Sequence, residues 1–271
     1  MITNGLLSHI HVMNPESKAS LISQLLLSFP FLVGLIVYLI MVFLSVRRSQ
    51  KWPLHKSLCW IAGMLLAIVS VAGPLADLAH KDFEMHMVTH LLLGMLAPLL
   101  LTLAAPMTLL LRTLSVSKAR YVTSVLRSRY SQFFTHPVAA SIMNVGGLWV
   151  LYTTDLYALM HENIWAHIFV HVHVFLAGYL FTISMIYIDP IPHRKSYMYR
   201  SIVLILALAA HGILSKFIYA HPPAGVALNE AEKGSVLMYY GGDMIDAIII
   251  FILCWHWYKS RRPRESELVS T

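Results

Sequence analysis

Charged residues are scarce in this sequence. Aspartate, glutamate, lysine and arginine make up 12% of its 271 residues, against about 25% in an average soluble domain. Hydrophobic residues make up 58% of the chain. This composition excludes an intrinsically disordered protein and argues strongly against a soluble globular one. We therefore predict an all-α, polytopic membrane protein in contact with the lipid bilayer, because helices can satisfy their own backbone in lipid.

Cysteine is also nearly absent, with only Cys59 and Cys254. Two cysteines exclude a disulfide framework and a four-cysteine zinc site, so we interpret both as small apolar residues. The sequence has no internal repeat, low-complexity tract or linker, and we predict a single domain over residues 1–271. The net charge of +7 does not indicate nucleic-acid binding, because in a membrane protein the placement of charge matters more than its sum.

Seven long apolar runs are separated by short polar loops, and each is about long enough to cross a bilayer as a helix. Pro98 and Pro106 fall inside or late in the third run, where we expect them to kink the helix. The predicted spans lie near residues 21–46, 58–76, 87–111, 138–155, 165–188, 201–219 and 236–257.

Lysine and arginine indicate the orientation. Alternate polar segments hold 16 of the 20 basic residues, and such segments face the cytoplasm under the positive-inside rule. The rule places the C-terminus in the cytoplasm and the N-terminus outside.

Histidine is abundant, with 15 residues, of which 11 fall on or near the predicted outer side. We interpret His9, His11, His80, His161 and His221 as loop histidines without a special role. Four spans, in contrast, carry polar groups below the outer surface, at depths of roughly 5 to 12 Å from the rise per residue. These groups are His90, His171, His211, Asp243 and Asp246.

Two histidine pairs have the spacing of ligands on one helix face. His86 and His90 form HMVTH, and His167 and His171 form HIFVH; residues four apart lie about 6 Å from each other on a helix. Buried polar groups in a bilayer usually mark function. The convergence favours a metal or haem site over a structural polar cluster. His173 points away from His171 and is expected to contact another helix.

Copper and zinc both accept imidazole, and nearby methionines would favour Cu(I) because thioethers are soft donors. The candidate ligands are His86, His90, His167, His171, His211, Asp243 and Asp246. Asp243 could instead support the ligands or pair with Lys216, although Lys216 could equally reach the membrane interface.

Several motifs in series resemble the CtaG family of caa3-type cytochrome c oxidase assembly factors. They run from about residue 75 to the C-terminus and include HMVTHLLLGMLAPLLLTLAAP, HIFVHVHVFLAGYLF, YIDPIPHR, HGILSKFIYAHPP and YYGGDMID. The resemblance implies a seven-helix bacterial plasma-membrane protein that helps to mature a haem–copper oxidase, with the oxidase subunits as partners. It carries over His86, His90, His167, His171 and His211.

Three functions remain open at this point. The first is a non-enzymatic factor that holds copper at the outer face and passes it to the oxidase. The second is a zinc-dependent intramembrane hydrolase, which would need three protein ligands and a metal-bound water. The third is a membrane cytochrome with haem held by histidines of two helices. We interpret Asp189, which precedes Pro190, as a helix stop signal.

Overall fold

The computed structural model describes residues 15–48 and 51–262, and the side chains of these from residue 20 onward. His9 and His11 therefore lie outside the described residues. All regular elements within these ranges are helical, which confirms the predicted all-α class. In chain order they are α1 Pro15–Arg47, α2 Leu54–Val71, α3 Pro74–Ala79, α4 Phe83–Leu103, α5 Pro106–Thr113, α6 Val116–Leu126, α7 Arg129–Phe134, α8 Pro137–Thr153, α9 Leu156–Glu162, α10 Ile164–Met185, α11 Tyr197–Ala220 and α12 Leu228–Arg261.

Six of the described helices are long and apolar enough to cross a membrane by length and composition: α1, α2, α4, α10, α11 and α12. Helix α8 coincides with the fourth predicted span but is shorter, although it is also apolar. A multi-pass architecture follows from the six long helices. The count of seven spans and the orientation of the termini stay predictions.

The third predicted span was wrong at its C-terminal end. Helix α4 ends at Leu103, and Ala105 adopts a left-handed backbone with φ of 52°. Pro106 then begins α5 rather than kinking α4, because proline is well tolerated in the first turn of a helix. A π-helical turn, Leu92–Leu96, interrupts α4 just before Pro98.

Helix α4 is the central element, with about two-thirds of its most apolar stretch buried inside the bundle. It packs against α2, α10 and α12, while α11 packs along α12. The α4–α10 contact is close because Gly178 of α10 lies against the carbonyl oxygen of Gly94, so that a β-carbon there would overlap it. Small residues permit this backbone approach between membrane helices. The contact aligns the histidine pairs of the two helices.

Polar caps fix where the histidine-bearing helices begin. The Asp82 carboxylate accepts the backbone N–H groups of Glu84 and Met85 at the start of α4, at 2.7 and 3.3 Å. The Asn163 side-chain oxygen does the same for Trp165 and Ala166 at the start of α10, at 2.8 and 3.2 Å. Such caps satisfy backbone donors that have no partner within the helix. His86 and His167 each follow their cap by four residues, so both stand one turn inside the helix.

Candidate metal centre

Seven histidine side chains meet at the end of the bundle where α4 and α10 begin. Helix α4 contributes His86 and His90, α10 contributes His167 and His171, and α11 contributes His211. His80 ends α3 and His161 lies on the short helix α9. The five histidines predicted as ligands thus lie in one region. The structure adds His80 and His161, which we had interpreted as loop histidines without a special role.

The outer group consists of His80, His161, His167 and His171. The ring centres of His167 and His171 are 4.1 Å apart, and those of His80 and His167 are 4.7 Å apart. His161 meets the His80 ring edge-on at 5.7 Å. These four side chains, with His86, line an outer cavity of about 10 Å³. His161 is exposed, whereas His167 is buried, so the outer cavity lies next to the surface of the protein.

The inner group consists of His90, His211 and Asp246. The centres of the two imidazole rings are 6.2 Å apart, with an angle of 28° between their planes. All three side chains line an inner cavity of about 20 Å³, which Asn144 and Met95 also border. Gly242 makes room for the His211 ring, since a β-carbon at this position would lie 2.8 Å from His211 Cε1.

His86 and Tyr152 stand between the two groups. His86 Nε2 and the Tyr152 hydroxyl oxygen form a hydrogen bond of 3.1 Å. Both side chains line a third cavity of about 20 Å³, which also borders His90 and His171. The three cavities therefore follow one another from the outer group to the inner group, and we call the side chains of these two groups, with His86 and Tyr152, the histidine column. No sequence signal singled out Tyr152, because a tyrosine in an apolar helix is usually core.

Several buried nitrogen and oxygen atoms of the column, which could bind a metal, have no hydrogen-bond partner. These are both ring nitrogens of His90, Nδ1 of His167, Nε2 of His211 and Oδ1 of Asp246. Buried polar atoms in proteins are nearly always paired, and each exception calls for an explanation. Unpaired imidazole nitrogens that face cavities are free to bind an ion.

Burial lowers the pKa of His80, one member of the outer group. The pKa of His80, which lies between two spans, is lowered by burial and by the neighbouring His161, against a smaller opposing effect of Asp77. Metal ions bind the neutral form of imidazole. The lowered pKa of His80 therefore leaves its ring ready to act as a ligand at neutral pH.

Asp243 lies outside the column. It is exposed on α12, whereas Asp246 is 3% exposed and borders the inner cavity. The Lys216 ammonium lies 5.3 Å from the centre of the Tyr239 ring, an arrangement typical of a cation–π contact. These positions favour a Lys216 side chain that reaches the membrane interface over one that forms an ion pair with Asp243.

The candidate ligands of the column do not gather around a single point. Within residues 20–48 and 51–262, no three histidine, cysteine, aspartate or glutamate side chains surround a common point closely enough to hold a metal ion. His173 lies apart from the column, and its Nε2 is 3.1 Å from the Met143 carbonyl oxygen. This is the helix contact expected for it.

Three mycobacterial proteins are similar to part of this chain. An uncharacterized protein of Mycobacterium leprae is 31% identical over 177 residues, which cover 62% of this chain and 27% of the relative. Uncharacterized proteins of Mycobacterium bovis and Mycobacterium tuberculosis are each 31% identical over 172 residues, or 61% of this chain and 26% of the relative. The chain thus spans about a quarter of the length of these relatives. No solved structure matches it.

A family comparison covers most of the chain. The model of the caa3 cytochrome c oxidase assembly factors, the CtaG family, matches residues 36–260. The match includes every histidine of the histidine column and all of α2 to α11. It confirms the resemblance carried by the motifs. The chain belongs to the family of caa3 cytochrome c oxidase assembly factors.

Proposed function

We propose that this protein binds copper in the histidine column and delivers it to a cytochrome c oxidase from the outer face of a bacterial plasma membrane. The observation that carries the proposal is the column itself, with its cavities and its unpaired imidazole nitrogens. Imidazole is a good ligand for copper. An oxidase with a haem–copper centre needs a supply of this metal, which is why the family supports the same conclusion.

Methionine sulfur favours Cu(I) within the column. Met160 borders the outer cavity and Met95 borders the inner one. Thioethers are soft donors that prefer Cu(I), whereas carboxylates and water suit harder ions. Met87 and Met238 border none of the three cavities and Met244 is exposed, so these methionines are less suited.

Delivery requires that the ion can leave again. The outer group combines histidines from three elements with an exposed member, His161, beside the surface. A partner protein can replace such ligands one at a time, in contrast to a closed site of four thiolates. No reaction of a substrate is part of this role, so we propose a carrier and not an enzyme.

The proposed membrane arrangement has seven spans, with α8 as the fourth. The apolar composition of α8 and its position between two polar segments support this count. The positive-inside rule puts the histidine column outside and the basic segments around α5 to α7 in the cytoplasm. Copper would then be received and released on the outer side.

Copper analysis of detergent-purified protein tests the proposal. The protein should bind Cu(I), and His167→Ala combined with His171→Ala should reduce the amount bound. Cells with this variant should also lose oxidase activity, while the variant inserts normally. His221→Ala is the matched control, because His221 is an exposed histidine at the same end of the bundle outside the three cavities.

Two results would contradict the copper proposal. One is an unchanged copper content in the His167→Ala/His171→Ala protein. The other is purified protein that carries stoichiometric zinc with hydrolase activity, or haem with a Soret band. His256→Ala, at the opposite end of α12, provides a second control and should change neither copper content nor oxidase activity.

A further inference from the structure

The inner cavity is more enclosed than the outer one. His90, His211 and Asp246 are 5%, 7% and 3% exposed, and they come from three different helices, α4, α11 and α12. Four of their polar atoms have no hydrogen-bond partner: both nitrogens of His90, Nε2 of His211 and Oδ1 of Asp246. A purely structural polar cluster would satisfy these atoms among themselves. The arrangement instead leaves these atoms without partners in residues that line the inner cavity.

The spacing of the two imidazoles suits one ion held between them. Two rings that bind an ion from roughly opposite sides have centres about 6 Å apart, since each metal–nitrogen bond is about 2 Å. The observed ring-centre distance is 6.2 Å. The Asp246 carboxylate borders the same cavity. A monovalent cation next to one carboxylate adds no net charge to a region where unpaired charge is costly.

His86 and Tyr152 lie between the inner and outer groups. Tyr152 is 2% exposed and its hydroxyl is 3.1 Å from His86 Nε2. His86 and His171 both border the outer cavity and the third cavity beside His90. The inner and outer cavities share no lining residue, so an ion in the inner group is bound apart from an ion in the outer group.

We propose that the inner cavity is a second copper station, with Cu(I) held between His90 and His211 and its charge balanced by Asp246. This inference rests on the proposed copper function and adds that the column holds two ions in separate places. The outer group receives and releases copper at the surface. The inner station stores an ion deeper in the bundle and exchanges it with the outer group past His86 and Tyr152.

The number of bound ions tests the inference. Chelator-stripped, detergent-purified protein is titrated with Cu(I) alone, and we expect about two ions per chain in the wild type. The His90→Ala/His211→Ala protein should bind about one ion, and so should the His167→Ala/His171→Ala protein. The X-ray absorption spectrum of copper in the His167→Ala/His171→Ala protein should show nitrogen neighbours, as expected for the inner station.

Asp246→Asn guards against variants that fail to fold, because it preserves the shape of the side chain. It should weaken the inner station roughly tenfold or more, the usual effect of losing a charged group beside a metal site. Asp243→Asn is the comparison on the same helix, because Asp243 is exposed and borders none of the three cavities. Its charge still acts on His211 through space, so this variant should weaken the inner station less than Asp246→Asn does.

The outcomes separate the two proposals. A wild-type protein that binds one ion, lost in either double variant, overturns the second station but leaves the copper function standing. The station is also overturned if Asp246→Asn and Asp243→Asn bind copper identically. A wild-type protein that binds no Cu(I) contradicts both proposals.

Discussion

Single residues at helix ends tie distant parts of this chain together. The Asp189 carboxylate accepts hydrogen bonds from the backbone N–H of Met107 and from the N–H and hydroxyl of Thr108, at 2.6 to 3.0 Å. It therefore caps α5, some 80 residues earlier in the sequence. We had interpreted Asp189 as a stop signal for its own helix. Only the folded structure shows that Asp189 caps α5, because no local sequence pattern indicates which distant N–H groups a carboxylate will reach.

Removal of this cap should destabilise the protein. We expect Asp189→Ala to lower the free energy of unfolding by about 1–2 kcal/mol, because three donors at the start of α5 lose their acceptor. Unfolding in mixed micelles measures the change.

Asp155→Ala is the control for the cap. Asp155 is the N-cap residue of α9, but it is exposed and its side chain makes no capping hydrogen bond. We expect a change within about 0.5 kcal/mol, as for surface substitutions in general. Equal effects of the two variants would show that the Asp189 contacts do not stabilise the protein.

At the scale of elements, the approach of α4 and α10 sets the geometry of the column. Gly94 and Gly178 bring the two backbones together, and the π-helical turn Leu92–Leu96 lies at the same point of α4. π-helical turns often occur at functional sites in helices. The sequence predicted each histidine pair from its spacing. The distance between the pairs depends on the helix contact, which no spacing encodes.

A methyl group at Gly178 should push the two helices apart. We expect Gly178→Ala to destabilise the protein by about 1–3 kcal/mol, the usual cost of an overpacked contact, and to lower copper binding because the histidine pairs separate. Unfolding measurements and copper titration of the same preparation check both effects.

Gly146→Ala is the matched control for this contact. The nearest neighbour of a β-carbon at Gly146 would be Ile142 Cγ2 at 3.8 Å, an ordinary contact distance. Since alanine favours helix over glycine by up to about 1 kcal/mol, this change should be neutral or stabilising. A Gly178→Ala protein as stable as Gly146→Ala would refute the close-contact argument.

For the whole molecule, the decisive question is how many times the chain crosses the membrane. We expect a reporter fused after Ser260 to be cytoplasmic and one inserted at Asn229 to be exterior, because most basic residues lie in alternate segments. Reporters that follow Arg129 and Glu162, on either side of α8, should also fall on opposite sides. Reporter activity of the fusions in intact cells gives the measurement.

A different pattern of reporter activity would change the predicted membrane topology. If the reporters on either side of α8 report the same compartment, α8 does not cross, and the chain has six spans. If Ser260 and Asn229 fall on one side, α12 does not cross and the predicted orientation is lost. The histidine column can receive copper from outside only in the orientation that we expect.

The sequence by itself determined the class of protein, the helical architecture and the histidines of α4, α10 and α11. Hydrophobic runs, charge counts and the four-residue spacing of histidines are local properties, and local patterns suffice to predict them. The same patterns placed the end of α4 too late, because an apolar run shows no boundary where the backbone turns at Ala105.

Only the tertiary structure decided how the polar groups are distributed. It arranged the histidines around three cavities, added His80, His161 and Tyr152, and turned Asp246 inward while leaving Asp243 exposed. The two aspartates are three residues apart, so their spacing puts both on neighbouring faces of α12. The rotation of α12 against α4 and α11 determines which aspartate is buried, and that rotation is set by the packing of all three helices.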